Sequence, residues 1–452
     1  MIEANGASTK WRFFISSLRK SLGWQRFCFF LAVLFRKTPP ELMNPRILHA
    51  TALFAMLLFG PAAAFGLGIR IVDQDALATS RGDAFSATAD NPSAIYYNPA
   101  GITQLEGTEF RLGAYGISLE STVDPALPGA ANLDTKFEYQ AAPQFYLTYK
   151  PAAAPIALGL GVYAPFGFGL EYPDDAPFRT LAKKGRIQYV SINPVFAFEI
   201  TKTLSLAVGG MVNHGRAKLA RGVVTPGDEF HFEGEGVGYG FNAGLLWQPH
   251  PMHSFGAMYR SAAGLDFSGH SRVRIPSFTV ATPFGPFKVP RFDSESDANL
   301  DFDFPQTVVL AYSFRPTPDW NIEFDLDWTD WDSLNTLFLR QSTGDVALPF
   351  NWESSFLYEF GVTRHLPAGF NLSAGYVYSE NSVPSASFNP LIPDSNRHIL
   401  SVGVGQTRDR LNWQVAYQYA YGPHRRIENG SLGDGVYRFQ SNAITFSVGY
   451  RF

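Results

Sequence analysis

The last nine residues, 444–452, show the clearest pattern of hydrophobic and polar positions in the chain. Apolar side chains occupy every second position and end on Phe452, while small or polar residues lie between them. A period of two is typical of a β-strand with one apolar face. Ending such a strand on an aromatic residue favours a transmembrane β-strand, which faces lipid outside and a wetter interior inside.

The same alternation recurs from about residue 107 onward and predicts about fourteen strands. The runs are 107–119, 137–150, 155–165, 186–200, 203–219, 235–249, 252–267, 299–315, 318–331, 354–366, 369–380, 397–408, 411–422 and 440–452. Their connections tend to alternate between tight turns and long loops, as in an up-and-down bacterial barrel. The pattern therefore predicts an all-β fold, a transmembrane antiparallel β-barrel of about 14 strands.

One of these strands carries a row of acids. Between residues 322 and 328, apolar residues alternate with Glu323, Asp325 and Asp327. The charged row must face the lumen, because charge facing lipid costs up to about 2–4 kcal/mol at the midplane for basic residues and less for acidic ones. Asp325 and Asp327 could also be a catalytic or metal-binding pair. Side chains at i and i+2 are about 7 Å apart, however, so a solvated lumen wall is the better interpretation.

The N-terminal part of the chain has a different character. Residues 65–106 are small, polar and rich in Gly, Ala and Asn, so we expect an N-terminal hatch (a plug in the lumen) followed by the barrel at 107–452. Residues 43–64 have the features of a signal peptide that ends in small residues. The simplest interpretation of residues 1–42 is a non-native leader, with translation starting at Met43, and the alternative is an extended leader.

Composition and charge exclude several classes of function. Aromatic residues make up 15% of the chain, yet the mean hydropathy is only -0.06. Removing residues 1–64 takes away eight basic and two acidic residues and leaves a net charge of -10, which argues against nucleic acid as a partner. The single cysteine, Cys28, is removed as well, and the histidines lack metal-ligand spacing. We therefore expect no metal, no cofactor and no enzyme activity.

Several stretches resemble the outer-membrane long-chain fatty acid and hydrocarbon transporter family of the FadL/TodX type. Asn98, Pro99 and Ala100 match the family's NPA motif in the hatch. Further similar stretches follow in family order, at 165–175, 191–200, 311–334, 351–362 and 383–405. The resemblance runs from Phe65 to the end of the chain.

The resemblance implies a route for hydrophobic substrates. In that family they are captured at extracellular loops, pass to an internal pocket and leave sideways through a gap made by a kinked third strand, beside the NPA motif. Gly159, Gly161 and Pro165 permit such a kink within 155–165, because Gly and Pro mark bends in strands. Phe65, as the first mature residue, is expected to reach into the lumen.

Apolar residues after the third strand are a second candidate for substrate binding. Phe166, Phe168 and Leu170 are predicted to lie in a long exposed loop, either as a docking site for acyl chains or packed against a neighbouring loop. Phe284 and Phe287, in a Pro-rich loop, have the same two interpretations, with packing favoured. The predicted substrate-binding residues are Phe65, Asn98, Pro99, Ala100, Gly159, Gly161, Phe166, Phe168 and Leu170.

Together these features predict passive uptake of long-chain fatty acids or similar hydrophobic molecules across the bacterial outer membrane. One alternative is uptake of uncharged aromatic or alkane hydrocarbons by the same route. Others are a barrel lipase or deacylase, for which no convincing lipid-facing Ser–His pair is found, and a porin for polar solutes. Expected partners are hydrophobic small molecules, outer-membrane lipids and the barrel-assembly machinery, which would recognise the C-terminal Phe452.

Overall fold

A computed structural model describes residues 68–225, 227–342 and 344–452. The expected leader at 1–42, the expected signal peptide at 43–64 and Phe65 lie outside the described residues. Across the described ranges, no helix has the length and apolar character that crossing a membrane would require.

Most of the described chain is β-strand, and the strands are numbered here in chain order. They are β1 Gly107–Pro125, β2 Leu133–Asp134, β3 Tyr139–Lys150, β4 Ile156–Tyr163, β5 Gly167–Glu171, β6 Lys184–Thr201, β7 Leu204–Arg221, β8 Glu229–His250, β9 His253–Arg260, β10 Ala263–Ile275, β11 Phe278–Thr282, β12 Gly285–Val289, β13 Phe292–Phe304, β14 Thr307–Thr317, β15 Trp320–Thr329, β16 Thr336–Gln341, β17 Val346–Pro349, β18 Ser355–His365, β19 Phe370–Ser379, β20 Arg397–Arg408, β21 Leu411–Ile427 and β22 Gly435–Arg451.

The helices of the described residues are short. Between residues 68 and 106 there are two α-helices, α1 Ala76–Ser80 and α2 Ala94–Tyr97. The described 3-10 helices are Pro99–Gln104, Trp331–Ser333, Pro367–Gly369 and Ser385–Ser387. Asp75 caps α1, because its Oδ1 accepts a hydrogen bond from the N–H of Leu77 at 3.0 Å.

The sheet closes on itself. β1 pairs antiparallel with β3 on one side and with β22 on the other, so Phe110 lies opposite both Leu147 and Tyr450. Over the described residues the pairings make a closed antiparallel barrel of fourteen wall strands, which confirms the predicted fold class. Because the first and last wall strands pair with each other, the wall strands can satisfy most of their backbone polar groups by pairing within lipid.

Three wall strands are interrupted. The third consists of β4 and β5, the seventh of β9 and β10, and the eighth of β13 and β14. Every predicted run of alternation lies on one of the fourteen wall strands. The short strands β2, β11, β12, β16 and β17 lie within the long connections.

Side chains alternate across the wall as the sequence predicts. On β22, Ile444 is exposed on the outer face and Thr445 is buried on the inner face. Aromatic rings cluster on the outer face near both rims, for example Trp247 with Phe255 at 5.3 Å near a short turn, and His398 with Tyr421 at 5.2 Å near the long loops. Such belts suit the two membrane–water interfaces.

The prediction that Phe166, Phe168 and Leu170 lie in a long exposed loop is wrong. After an interruption at 164–166 the chain returns to the wall as β5, which pairs with β6 along its whole length. Phe166 and Leu170 are only 3% and 4% exposed. Pro165, which cannot donate to a ladder, ended the alternation in the sequence, but the strand resumes after it.

The packing favoured for Phe284 and Phe287 is also absent from the described structure. Both residues lie on the separate β11–β12 hairpin. Phe284, next to the turn, is fully exposed, and Phe287 is 61% exposed.

Candidate functional site

Residues 68–106, here called the N-terminal segment, are buried against the inner face of the wall. Its polar contacts reach strands on several sides of the ring. They join Ala76 N to Ser447 Oγ of β22 at 3.0 Å, Tyr146 Oη of β3 to Gln74 O at 2.9 Å, Asn98 Nδ2 to Leu245 O of β8 at 2.9 Å, and Gly82 N to Ser401 Oγ of β20 at 3.0 Å. The segment therefore lies across the lumen.

Asn98, Pro99 and Ala100 fix the end of this segment to β8. The Asn98 amide donates to Ser86 O at 2.8 Å and to Leu245 O, and its Oδ1 accepts from Ala100 N at 3.2 Å. Pro99 begins the 3-10 helix, where its missing N–H is not needed. The tripeptide is thus a buried structural junction.

Gly159 and Gly161 lie within β4, a few residues before the interruption. A Cβ at either position would stand 2.8 Å from the side chain of Ile95 in α2. Both glycines are paired with β3 and β6. They therefore allow the N-terminal segment to pack directly on the wall, while the interruption itself falls at Pro165.

The wall has a gap at this interruption. In the described pairings, β3 and β4 stay paired only as far as Phe145 opposite Val162, and β5 pairs with β6 alone. Beyond that point the third strand turns to the N-terminal segment, because Pro165 O accepts from Ile71 N at 2.9 Å and Gly167 N donates to Ile69 O at 3.0 Å. We call this stretch, residues 141–144 facing 163–167, the wall gap.

The inner side of the wall gap is lined by small and apolar residues. Ala142 and Ala164, each 8% exposed, pack in one cluster with Tyr115 and with the partly buried Ile71 and Ile117. Because the side chains on both sides of this unpaired backbone are small, little side-chain volume would have to move for the wall gap to widen.

An aromatic cluster adjoins the wall gap toward the long loops. Phe166 lies 4.9 Å from Phe304 and 5.3 Å from Tyr189, measured between ring centroids, and 6.3 Å from Trp331. Leu170 belongs to the same buried cluster, and Phe168 packs against its edge. These contacts make one continuous buried apolar cluster inside the barrel.

A buried guanidinium lies beside this region. Arg260, at the end of β9, donates to Tyr163 Oη at 3.0 Å and to Tyr96 O at 2.9 Å. Its guanidinium also lies 4.4 Å from the Tyr96 ring centroid. Stacking on aromatic faces stabilises a cation away from water.

The interpretation of Asp325 and Asp327 as a solvated lumen wall is wrong. Both are buried, and Asp327 binds the guanidinium of Arg70 through two hydrogen bonds of 2.7 and 2.6 Å. Asp325 accepts from the backbone N–H groups of Phe85 and Ser86. Their row does face inward, as predicted, but it faces the N-terminal segment instead of water.

Two acids of the N-terminal segment lie together away from water. Asp73 accepts from Gln418 Nε2 at 2.8 Å, and Asp83 accepts from Tyr97 Oη at 2.9 Å. Burial raises the pKa of both carboxyls, and the neighbouring charge of Asp73 raises the pKa of Asp83 further. Burial therefore favours a form of the pair in which the two carboxyls are not both charged.

Residues that hold the wall gap escaped the sequence analysis. Arg70, Gln74 and Arg260 are single polar residues in stretches without a motif, and their partners lie far away in the chain. Only Pro165 signalled an interruption locally.

A polar cavity lies at the short-turn rim of the barrel, away from the wall gap. This cavity of about 320 Å³ is lined by polar residues that include Gln104, Glu106, Lys150 and Arg451. Among the described residues, no group of three or more His, Cys, Asp or Glu is arranged to hold a metal ion.

The chain is similar to curated outer-membrane proteins. It is 22% identical over 406 residues to the long-chain fatty acid transport protein of Escherichia coli O6:H1, covering 81% of this chain and 89% of that protein. It is 20% identical over 402 residues to outer membrane protein P1 of Haemophilus influenzae, covering 77% and 84%.

Solved structures share the fold. A FadL homologue of Pseudomonas aeruginosa superposes with a TM-score of 0.73 at 17% identity, covering 85% of this chain and all of that one. The toluene transporter TodX of Pseudomonas putida superposes with a TM-score of 0.66 at 17% identity, covering 86% and 99%. A family model described as outer membrane protein transport protein (OMPP1/FadL/TodX) matches residues 58–452. The chain therefore belongs to the outer membrane protein transport family, OMPP1/FadL/TodX.

Proposed function

We propose that this outer-membrane barrel takes up long-chain fatty acids or similar hydrophobic molecules passively and releases them sideways through the wall gap. The N-terminal segment serves as a hatch that blocks the axial route. One observation carries the proposal: an interrupted ladder between β3 and β5 adjoins a buried aromatic cluster. A hydrophobic molecule gains about 0.8 kcal/mol per buried CH₂ in such a cluster, and the gap leads from it to lipid.

Individual residues take different parts in this route. Phe166 and Leu170 would contact the substrate, with Phe168 at the margin of their cluster. Gly159 and Gly161 would let α2 close against the wall, and the junction at Asn98, Pro99 and Ala100 would hold the hatch.

Parts of the proposal outside this route rest on the sequence. Phe65 is proposed to reach into the lumen, and the proposed domains are residues 43–64 as signal, 65–106 as hatch and 107–452 as barrel. The protein would carry out no chemistry on its substrate. Outer-membrane lipids and the barrel-assembly machinery, acting on Phe452, remain proposed partners.

A second candidate is uptake of uncharged hydrocarbons through the same gap, since the aromatic cluster suits them as well. Arg260 favours a fatty acid, because its described hydrogen-bond partners, Tyr163 Oη, Tyr96 O and Met211 Sδ, are all neutral. A guanidinium at that place could bind a carboxylate by donating hydrogen bonds to its oxygens. Comparing the uptake of oleate with that of toluene by the same protein distinguishes the two substrates.

The route itself is tested by uptake of oleate into liposomes that contain the protein and an internal fatty-acid reporter. Ala142→Trp places an indole in the wall gap and is expected to reduce uptake at least tenfold. Ala374→Trp, on the outer face of β19, is the matched control and should leave uptake unchanged. Equal uptake by both variants, or none by the unmodified protein, would exclude the proposed route.

A further inference from the structure

Three inward-facing acids of β15 make an unusual contact with the hatch. Glu323, Asp325 and Asp327, here called the acid ladder, are at most 2% exposed. They follow one another at every second position, so they stand on one face of the strand.

The ladder binds a run of backbone N–H groups. Asp325 Oδ2 accepts from Phe85 N at 3.1 Å and from Ser86 N at 2.9 Å. Glu323 Oε1 accepts from the next two groups, Ala87 N at 2.7 Å and Thr88 N at 3.2 Å. Four consecutive amides of the hatch are thus satisfied by two carboxylates, and such charge-assisted bonds are stronger than neutral ones.

Two arginines extend the contact. Arg81 donates to Glu323 Oε2 at 3.2 Å, and Arg70 donates to both oxygens of Asp327 and to Thr329 Oγ1 at 2.8 Å. Arg70 also forms a β-bridge with Phe166, at the wall gap. The acid ladder therefore connects residues 85–88 of the hatch to Arg70, which pairs with Phe166 at the wall gap.

The hatch is held differently on its other side. Ile95 and Ile102 pack on the bare backbone of β4 at Gly159, an apolar contact. The contact with β15 consists of hydrogen bonds and ion pairs, which water can replace one by one. The contact with β15 therefore depends on charge, whereas the contact with β4 depends on apolar packing.

We propose that the acid ladder is a latch: its negative charge holds residues 85–88 and Arg70 against β15 and so keeps the lumen closed to ions. Glu323, Asp325 and Asp327 are positioning residues, which act on transport through the hatch. This proposal rests on the hatch of the proposed function. Replacing the ladder by amides keeps the side-chain shapes but removes the charge that strengthens these bonds.

The test is ion current through the full chain in planar bilayers. The triple variant Glu323→Gln, Asp325→Asn and Asp327→Asn is expected to raise the mean current per barrel at least tenfold. Asp301→Asn is the control, because Asp301 is an acid on the outer face of β13 that pairs with Arg340 and does not contact the hatch in the described structure. It should leave the current unchanged.

A disulfide provides the second measurement. Thr88 Oγ1 and Ser313 Oγ are 3.4 Å apart, so Thr88→Cys with Ser313→Cys can join the hatch to β14. In the triple variant, the oxidised pair should restore the low current and reduction should raise it again. A folded triple variant with unmodified current, or a current insensitive to the disulfide, overturns the latch.

The outcome for the latch is separable from that of the proposed function. Oleate uptake by the unmodified protein is measured in parallel. Normal uptake with an unchanged current in the triple variant refutes the latch alone. A raised current in that variant, without any uptake by the unmodified protein, refutes the transport route and supports the latch.

Discussion

The side-chain amide of Gln74 binds both backbone groups of Ala164: Nε2 donates to Ala164 O at 2.9 Å, and Oε1 accepts from Ala164 N at 3.3 Å. One hatch side chain thus takes the place that a neighbouring strand occupies elsewhere in the wall. A side chain can rotate away from such a pairing much more easily than a strand can leave a ladder. The wall gap is therefore closed by a removable partner.

Gln74→Ala is expected to loosen the wall gap. The substitution leaves a buried N–H and a buried C=O of Ala164 without this partner, which costs about 1–3 kcal/mol for each unsatisfied group. Amide hydrogen exchange over 163–167 should accelerate at least tenfold.

Gln104→Ala is the control for that measurement. Gln104 also bonds two backbone carbonyls, Thr88 O and Ala89 O, each at 3.0 Å, but it lies at the far end of the hatch. Its loss should leave exchange at 163–167 unchanged. If both variants accelerate exchange there equally, the amide has no specific role at the gap.

Phe166→Ala should weaken binding of a hydrophobic substrate. Its ring contacts Phe304, Tyr189 and Trp331, and truncation removes apolar surface from the centre of their cluster. Quenching of tryptophan fluorescence by a brominated fatty acid should require at least tenfold more ligand. Phe284→Ala, at a fully exposed ring, should bind the fatty acid as the unmodified protein does. Weaker binding by Phe284→Ala than by Phe166→Ala would place the binding site on the β11–β12 hairpin.

The fold could be predicted from the sequence because lipid on one side and a polar lumen on the other impose a period of two. In the last part of β22 the outward residues Ile444, Phe446, Val448 and Tyr450 are all apolar, so the strand is evident without any knowledge of its neighbours. The continuation of the third strand as β5 was missed, because Pro165 breaks the pattern where pairing shifts from β3 to the hatch.

The partners of the acids could not be predicted. An inward acid such as Asp325 gives the same pattern whether it faces water or a hatch. Its actual partners, Phe85 and Ser86, are about 240 positions away. Nothing in a local stretch of sequence encodes that contact.

Gly161→Val should separate the hatch from the wall. The new side chain would begin 2.8 Å from Ile95, and overpacking of a buried contact costs about 1–3 kcal/mol. The midpoint of urea-induced unfolding of the barrel in micelles should fall.

Ile95→Ala in the same chain should recover part of that loss, because it vacates the space that the valine needs. Gly210→Val on β7 is the matched control, since a Cβ there would meet nothing within 4 Å. A double variant that is no more stable than Gly161→Val would show that the glycine is needed for another reason.

Asp228 should make the loop at 222–228 sensitive to acid. Burial alone would raise its pKa, but hydrogen bonds from Val223, Thr225 and Val224 and from Arg179 lower the pKa to about 2. A folded pKa below the ordinary value of 3.8 means that the carboxylate stabilises the loop above about pH 4. That contribution, about 2 kcal/mol for a shift of this size, is lost as the pH falls from 4 to 2.

Limited proteolysis by pepsin measures this change, because pepsin is active throughout that range. Cleavage within 222–228 should rise as the pH falls from 4 to 2 in the unmodified protein. In Asp228→Asn the loop should already be cleaved rapidly at pH 4, because an amide cannot carry the charge that attracts Arg179 and strengthens the bonds from the three N–H groups. Asp174→Asn, which removes an exposed partner of Lys183, is the control and should retain the pH dependence. An acid-dependent rise that persists in Asp228→Asn would assign the effect to another carboxylate of the loops.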